Sequence, residues 1–271
     1  MKIAVLNPGS MGISVAAALK STQQDVHWLN KGRSKATIDR TRKLNLLELN
    51  ALEQLADMDG IISVCPPHAA EDVAKQVKST GFGGLYLDAN AIAPETALRV
   101  AQIIGAGYVD GGIVGPPADN PGTTRLYLSG SSRGQVKAWF ESSLLEPICL
   151  DDNPGSASSL KMCYAAYTKG VSALILAVRA LAKERNVEQA LLDEWKLSQP
   201  ELPRRSEMIA RGTAPKAWRY SGEMREIANT FSASNLPDGF HHAAAEVYER
   251  MSVLKDEPDI SLERVLEEIL R

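Results

Sequence analysis

Two short stretches near the N-terminus combine residue types and spacing that suit phosphate chemistry. In the first, Ile3, Val5 and Leu6 form an apolar run of β-formers, Asn7-Pro8-Gly9 makes a turn, and Ile13–Leu19 lays small residues along a helix. Strand, tight turn, helix is the opening of a dinucleotide-binding βαβ unit. A pyrophosphate has to reach main-chain N–H groups at the helix N-terminus, and bulky side chains would block it. Gly9 and Gly12 fill the second and third glycine positions of G-x-G-x-x-G, and Asn7 takes the first. Asparagine tolerates positive φ, so the turn survives the exchange. Asn7, Pro8, Gly9, Ser10, Met11 and Gly12 are the expected cofactor loop; an ordinary β-turn-α joint would produce the same string. In the second stretch, Val26–Leu29 reads as a strand ending where a ribose-recognising residue falls. An NAD-binding protein places Asp or Glu there. Here Asn30-Lys31-Gly32-Arg33-Ser34-Lys35 contains no acid. Lys31, Arg33 and Ser34 suit the dianionic 2′-phosphate of NADP through charge-assisted bonds, where a merely solvated basic loop is the bland alternative. Its position one βα unit after the glycines selects NADP(H) over NAD(H), with Asn30 beside the ribose.

The rest of the chain must position these loops. Its 271 residues suffice for one large domain or two. Thirty bases against 33 acids give a net charge of −3, so nucleic acid and membrane surfaces have no electrostatic support as partners. No apolar run reaches the roughly 18 residues of a membrane span, and no basic-then-apolar leader precedes the first strand. Cys65, Cys149 and Cys163 are odd in number and widely spaced, which predicts neither a disulfide framework nor a zinc site. A cytoplasmic location follows as the default expectation.

Strands and helices alternate through the first half. A helix is expected at Ala36–Arg42, a strand at Leu46–Asn50, a short amphipathic helix at Ala51–Met58 and a buried strand at Asp59–Cys65 closed by Pro66-Pro67. Helix Ala69–Lys78, strand Gly84–Asp88, helix Glu95–Ile104 and strand Tyr108–Asp110 come next, then the glycine- and proline-rich loop Gly111–Pro117. Strand Arg125–Ser129, helix Arg133–Leu144 and a strand near Ile148–Leu150 complete a parallel, doubly wound α/β sheet, a Rossmann domain over residues 1–152. From 153 to 271 only helices are expected: a long one from about Ser158 to Arg185, then segments near 190–196, 204–211, 221–235, 240–254 and 261–270. A long apolar helix entering an all-α domain favours a homodimer formed through this half.

Several stretches, in order, resemble the β-hydroxyacid dehydrogenase and 6-phosphogluconate dehydrogenase superfamily. Asn7–Gly12 is similar to that family's cofactor loop, which often has Met before the last Gly. Leu87–Thr96 is similar to its Asp-Ser-Thr-Ile-Ser-Pro stretch, and Asp110–Pro116 sits where its substrate motif falls. Gly155–Lys161 matches the spacing of its Gly…Lys element. The resemblance, over about residues 1–180, implies a Rossmann domain followed by a helical domain. It implies that Cys65-Pro66 lines the nicotinamide ribose and that Lys161 is the catalytic lysine. More narrowly, Lys161–Gly170 and Trp218–Ile227 look like an uncharacterised-type, NADP-binding branch. Two departures stand out: Val114 replaces the serine that holds a substrate carboxylate, and Ala165 replaces an asparagine one turn after the lysine.

A lysine near the head of a mostly buried helix is a suitable proton donor or polariser, with its pKa lowered by desolvation. The alternative is a plain solvated helix lysine. Tyr164, Ala165 and Thr168 lie three, four and seven residues on and share its face, so Tyr164 or Thr168 would bond substrate or simply cap core. Lys169 points aside, toward an acid or a subunit contact. Gly111, Gly112 and Gly115 would offer main-chain N–H groups to a substrate oxygen, or form a tight loop. Asn90 would bond the ribose or carboxamide, or cap the helix beyond it. His241 and His242 diverge by about 100° on a helix and cannot chelate one metal ion without help; they read as helix-start residues, one of which would reach a partner's cleft, and Glu223 is a further outside candidate. The expected function is NADP(H)-dependent hydride transfer to or from a small carbonyl, hydroxy acid or imine. The alternative is a non-catalytic NADP(H)-binding sensor or assembly protein.

Overall fold

The structure, a computed structural model, describes residues 1–255, 257 and 259–271. It forms two compact units, Met1–Met162 and Cys163–Arg271. In the first unit β1 (Lys2–Leu6), α1 (Ser10–Ser21), β2 (Asp25–Leu29), α2 (Lys35–Lys43) and β3 (Leu47–Leu49) are followed by β4 (Gly60–Ser63) and α3 (Ala70–Ser79). The unit continues with β5 (Leu85–Asp88), α4 (Pro94–Ile104), β6 (Tyr108–Val114), β7 (Thr124–Ser129), α5 (Arg133–Ala138) and β8 (Leu145–Cys149). The eight strands lie in the order β3-β2-β1-β4-β5-β6-β7-β8. The order reverses between β1 and β4, so a crevice opens at their carboxyl ends. One core packs Ile3, Val5, Trp28, Leu87, Val109 and Phe140 on one face. The other face buries Ala4, Ile61, Tyr86 and Tyr108 beneath α3 and α4.

The sheet is not wholly parallel: β7 runs antiparallel to β6. The expected glycine loop after Asp110 is therefore strand as far as Val114, because a partner strand takes up its backbone hydrogen bonds. Residues 51–58 hold a 3-10 helix, Leu52–Asp57, rather than an α-helix. The helix after Arg133 stops at Ala138, since Trp139 and Phe140 turn into the core. Gly60 makes room for that indole: a Cβ there would sit 2.6 Å from the Trp139 ring.

The helix α6 (Ser156–Glu184) begins in the first unit and runs into the second, so the unit boundary, after Met162, falls within a helix. Contrary to the expectation from apolar runs, α6 is long and apolar enough to cross a membrane by length and composition. An 18-residue window has mean hydropathy 1.3 and is 44% buried within the protein. Partway along it, Lys169 pairs with Glu223. The second unit adds α7 (Glu188–Ser198), α8 (Leu202–Thr213), α9 (Ala217–Ala233), α10 (Gly239–Arg250) and α11 (Leu262–Leu270). Residues 251–254, expected to prolong α10, tighten into a 3-10 turn. Buried Arg179 ties α6 to α7 and α8 through Glu188 at 2.7 Å and Ser206 at 2.6 Å. Ser261 caps α11 by accepting the Arg264 N–H.

Candidate cofactor and active site

The expected cofactor residues converge at the carboxyl ends of β1, β2, β4 and β5. Asn7 adopts φ 60°, the left-handed conformation expected of it. It turns the chain so that Gly9 becomes the N-cap residue of α1, with no side-chain cap and no acid in the first turn. The first-turn N–H groups thus keep their positive field for an anion. Gly12 is required by close approach, since a Cβ would lie 2.8 Å from the Asn7 carbonyl oxygen and 3.6 Å from Val64 Cβ. The turn and helix therefore nest against the end of β4, with Ser10 exposed and Pro8 buried.

Beyond β2, the Arg33 Nε donates to the Leu29 carbonyl at 3.4 Å. Partial burial lowers the guanidinium pKa, and the nearby Cys65 at the end of β4 acts in the opposite direction. Lys31 is exposed. Ser34 caps α2 by accepting the Thr37 N–H at 3.3 Å, a task the linear reading did not give it. The Asn30 amide donates to the Glu48 carboxylate of β3. An acid missing from residues 30–35 thus reaches the same place from another strand, which only the parallel pairing of Trp28 with Glu48 reveals.

Cys65 is buried, and desolvation pushes its thiol up to about 12, so it is no nucleophile at neutral pH. Pro66 beside it is exposed. Asn90 is 3% exposed and committed to the protein. Its Oδ1 accepts the Cys65 N–H at 2.5 Å, and its Nδ2 donates to Ser63 Oγ at 3.1 Å. These bonds brace the ends of β4 and β5, and Asn90 does not cap α4, whose N-cap residue is Ala93.

Lys161 lies on the first turns of α6, and its Nζ donates to the Ile113 carbonyl. Gly112 makes this possible, as a Cβ there would sit 2.6 Å from the Ala157 carbonyl and 3.2 Å from Lys161 Cβ. Gly111 and Gly112 are buried strand residues paired with β7 rather than residues of an open loop. Gly115, at φ 129°, does turn the chain. Val114 and Ala165 are buried at 3% and 2%. The Thr168 hydroxyl donates back to the Tyr164 carbonyl at 3.0 Å, while the Tyr164 ring is exposed. Glu223 is occupied by Lys169. His241 is buried, its ring centroid 4.2 Å from that of Phe231, and His242 lies 3.6 Å from Asp238. Among the described residues no cluster could hold a metal ion.

Sequence reasoning missed what holds Lys161 in place. Asp110, fully buried, receives the Gly155 N–H at 3.0 Å, the Ser158 N–H at 2.8 Å, the Ser158 hydroxyl at 2.6 Å and the Ser129 hydroxyl at 3.1 Å. Burial raises its carboxyl pKa and these donors oppose the rise. A carboxylate at the N-terminus of α6 pins the helix to β6. The signal was the Asp–Gly–Gly string followed by a helix rich in serine at its start.

This fold is that of the 3-hydroxyacid dehydrogenases. A family described as a domain of unknown function (DUF1932) matches residues 182–251, within the helical unit. A curated protein of Methanothermus fervidus, an uncharacterized 28.5 kDa protein in the 7S RNA 5′ region, is 27% identical over 196 residues, 71% of this chain and 75% of its own. The conserved protein MTH1747, of unknown function and with structural similarity to 3-hydroxyacid dehydrogenases, superposes with a TM-score of 0.68 at 23% identity, covering 94% of this chain and 98% of that one. 3-Hydroxyisobutyrate dehydrogenase from Salmonella typhimurium gives 0.68 at 14% identity, with coverages of 98% and 99%. A reductive aminase from Aspergillus terreus, in complex with NADPH and ethyl levulinate, gives 0.57 at 17% identity, with coverages of 100% and 99%.

Proposed function

We propose that the chain is an NADP(H)-dependent oxidoreductase acting on a small carbonyl, hydroxy-acid or imine substrate. The observation that carries this reading is the uncapped N-terminus of α1, bare at Gly12 and facing the end of β4, with half-buried Arg33 held by the Leu29 carbonyl at the end of neighbouring β2. These residues fit a pyrophosphate and a phosphorylated ribose, and the NADPH held by the structurally similar reductive aminase supports a nicotinamide cofactor. When bound, that cofactor supplies or accepts the hydride. The protein's part is to orient the substrate and move one proton. Lys161 is the proton donor: its ammonium, steered by the Ile113 carbonyl, protonates the oxygen or nitrogen of the reduced bond. Val114 and Ala165 offer no polar anchor for a carboxylate, which favours apolar ketones and imines over 3-hydroxyisobutyrate-like acids. Tyr164 is the proposed partner of Lys161 on the same helix. A panel of small ketones, hydroxy acids and cyclic imines followed by NADPH absorbance tests this reading; no turnover with any member would reject it.

Glu48 beside Asn30 favours a second assignment, NADH, because a carboxylate there suits a free 2′-hydroxyl. The missing polar anchors favour a further one, an NADP(H) sensor without turnover. We place the protein in the cytoplasm as a homodimer. The helical unit carries an apolar groove of about 590 Å³ flanked by Tyr167, Leu174, Phe231 and Phe240. Phe240 is 77% and Tyr167 66% exposed, more apolar ring than a lone subunit leaves to water. Sedimentation should give a dimer with and without NADPH. A monomer would refute the dimer, and a state that changes with NADPH would favour the sensor.

A further inference from the structure

Behind the braced turn lies a buried polar cluster that the proposed chemistry does not use. Tyr86 and Asp88 of β5 pair with Tyr108 and Asp110 of β6, so all four lie on one face of the sheet. The Tyr108 hydroxyl and Asp88 Oδ2 are buried without a hydrogen-bond partner among the described residues, and the Tyr86 hydroxyl is buried beside Ser63. The other Asp88 oxygen, Oδ1, accepts the Asn90 N–H at 3.0 Å. Asn90 in turn holds the Cys65 N–H and the Ser63 hydroxyl. A chain of two hydrogen bonds, with a side branch to Ser63, therefore connects a buried carboxyl to the turn on which, under the cofactor reading above, the nicotinamide ribose rests.

We propose that Asp88 is a positioning residue, in its neutral form leaving Asn90 and the Cys65-Pro66 turn in the geometry that accepts the cofactor, and on ionisation drawing the Asn90 N–H toward its charge and so shifting them. The groups around it allow this. Tyr86 shares its strand, Tyr108 and Asp110 face it from β6, and Cys65 lies at the end of β4; each of these, once charged, is negative. The helices over this face contribute the apolar residues Ala70, Ala74, Val77, Ala97, Val100 and Ile104. Charge on Asp88 is therefore disfavoured. Burial, helped by Asp110 and opposed by Asn90, lifts its carboxyl to about 7. The sign follows: the folded chain binds this proton more tightly than the unfolded chain does. The stability it contributes is full below the ordinary carboxylate value of 3.8 and is lost as pH rises through about 7. Over the same range the new negative charge also repels an anionic cofactor.

Nuclear magnetic resonance of the ligand-free chain, with ¹³C-labelled carboxyls and ¹⁵N-labelled amides, tests the coupling between about pH 5 and 9. The Asp88 carboxyl and the Cys65 and Asn90 amides should move with one midpoint. In Asp88→Asn the two amides should stay at their low-pH positions. NADPH affinity should fall about tenfold across the midpoint in the native chain and stay flat in the variant. A Cys65 amide that ignores the Asp88 titration, or that titrates equally in Asp88→Asn, overturns the proposal. Coupled amides with no NADPH binding at any pH would support the Asp88–Cys65 link and overturn the cofactor reading alone.

Discussion

Asp110→Ala is expected to cost about 3–5 kcal/mol of unfolding free energy. The carboxylate is fully buried and accepts four hydrogen bonds, two of them from main-chain N–H groups that begin α6. Removing it strands those donors away from water, and each unsatisfied buried group carries about 1–3 kcal/mol. Asp110→Asn keeps the shape but turns an NH₂ toward donors, so it should recover only part of the loss. The effect spreads to the candidate active site, because the same two turns carry Ala157 and Lys161 over Gly112. Urea unfolding read at constant slope checks this, and a midpoint change worth less than about 1 kcal/mol would show that α6 is held by other contacts.

Lys161→Ala is expected to lower kcat by about 10²–10⁴-fold on whichever substrate the panel identifies, with NADPH affinity unchanged. The side chain is anchored by the Ile113 carbonyl, at the end of β6 and apart from the α1 turn that would take the pyrophosphate. Proton transfer and cofactor binding are therefore separable. Lys161→Arg keeps the charge but replaces a compact donor with a planar fork that never deprotonates, so it should not restore the rate. Equal kcat in Lys161→Ala and the native protein, measured in single turnovers, would remove the lysine from the chemistry.

The sequence made the local elements plain and left the long-range ones obscure. Asn7–Gly12 could be read because a strand, a left-handed residue and a small-residue helix are contiguous, and Asn7 does adopt positive φ. Glu48 could not, since β3 meets β2 only through sheet pairing. Gly111 and Gly112 read as a loop because glycine usually marks one; here the bare Cα atoms accommodate Leu87 on one side and α6 on the other. That the Asn90 side chain braces two strand ends could not be read either, since its partners lie 25 and 27 residues away. Buried carboxylates such as Asp88 and Asp110 carry no periodic signal, and their partners lie up to 48 residues away.

The central claim is that a nucleotide with a phosphorylated ribose lies across the β1–α1 turn with Arg33 at its 2′-phosphate. Isothermal titration of NADPH and NADH into the native chain and Arg33→Ala tests this most directly. The account predicts NADPH binding at least about tenfold tighter than NADH, with the difference abolished in Arg33→Ala and NADH affinity unaltered. Tighter binding of NADH, or an NADPH affinity indifferent to Arg33, would contradict it and turn attention to Glu48.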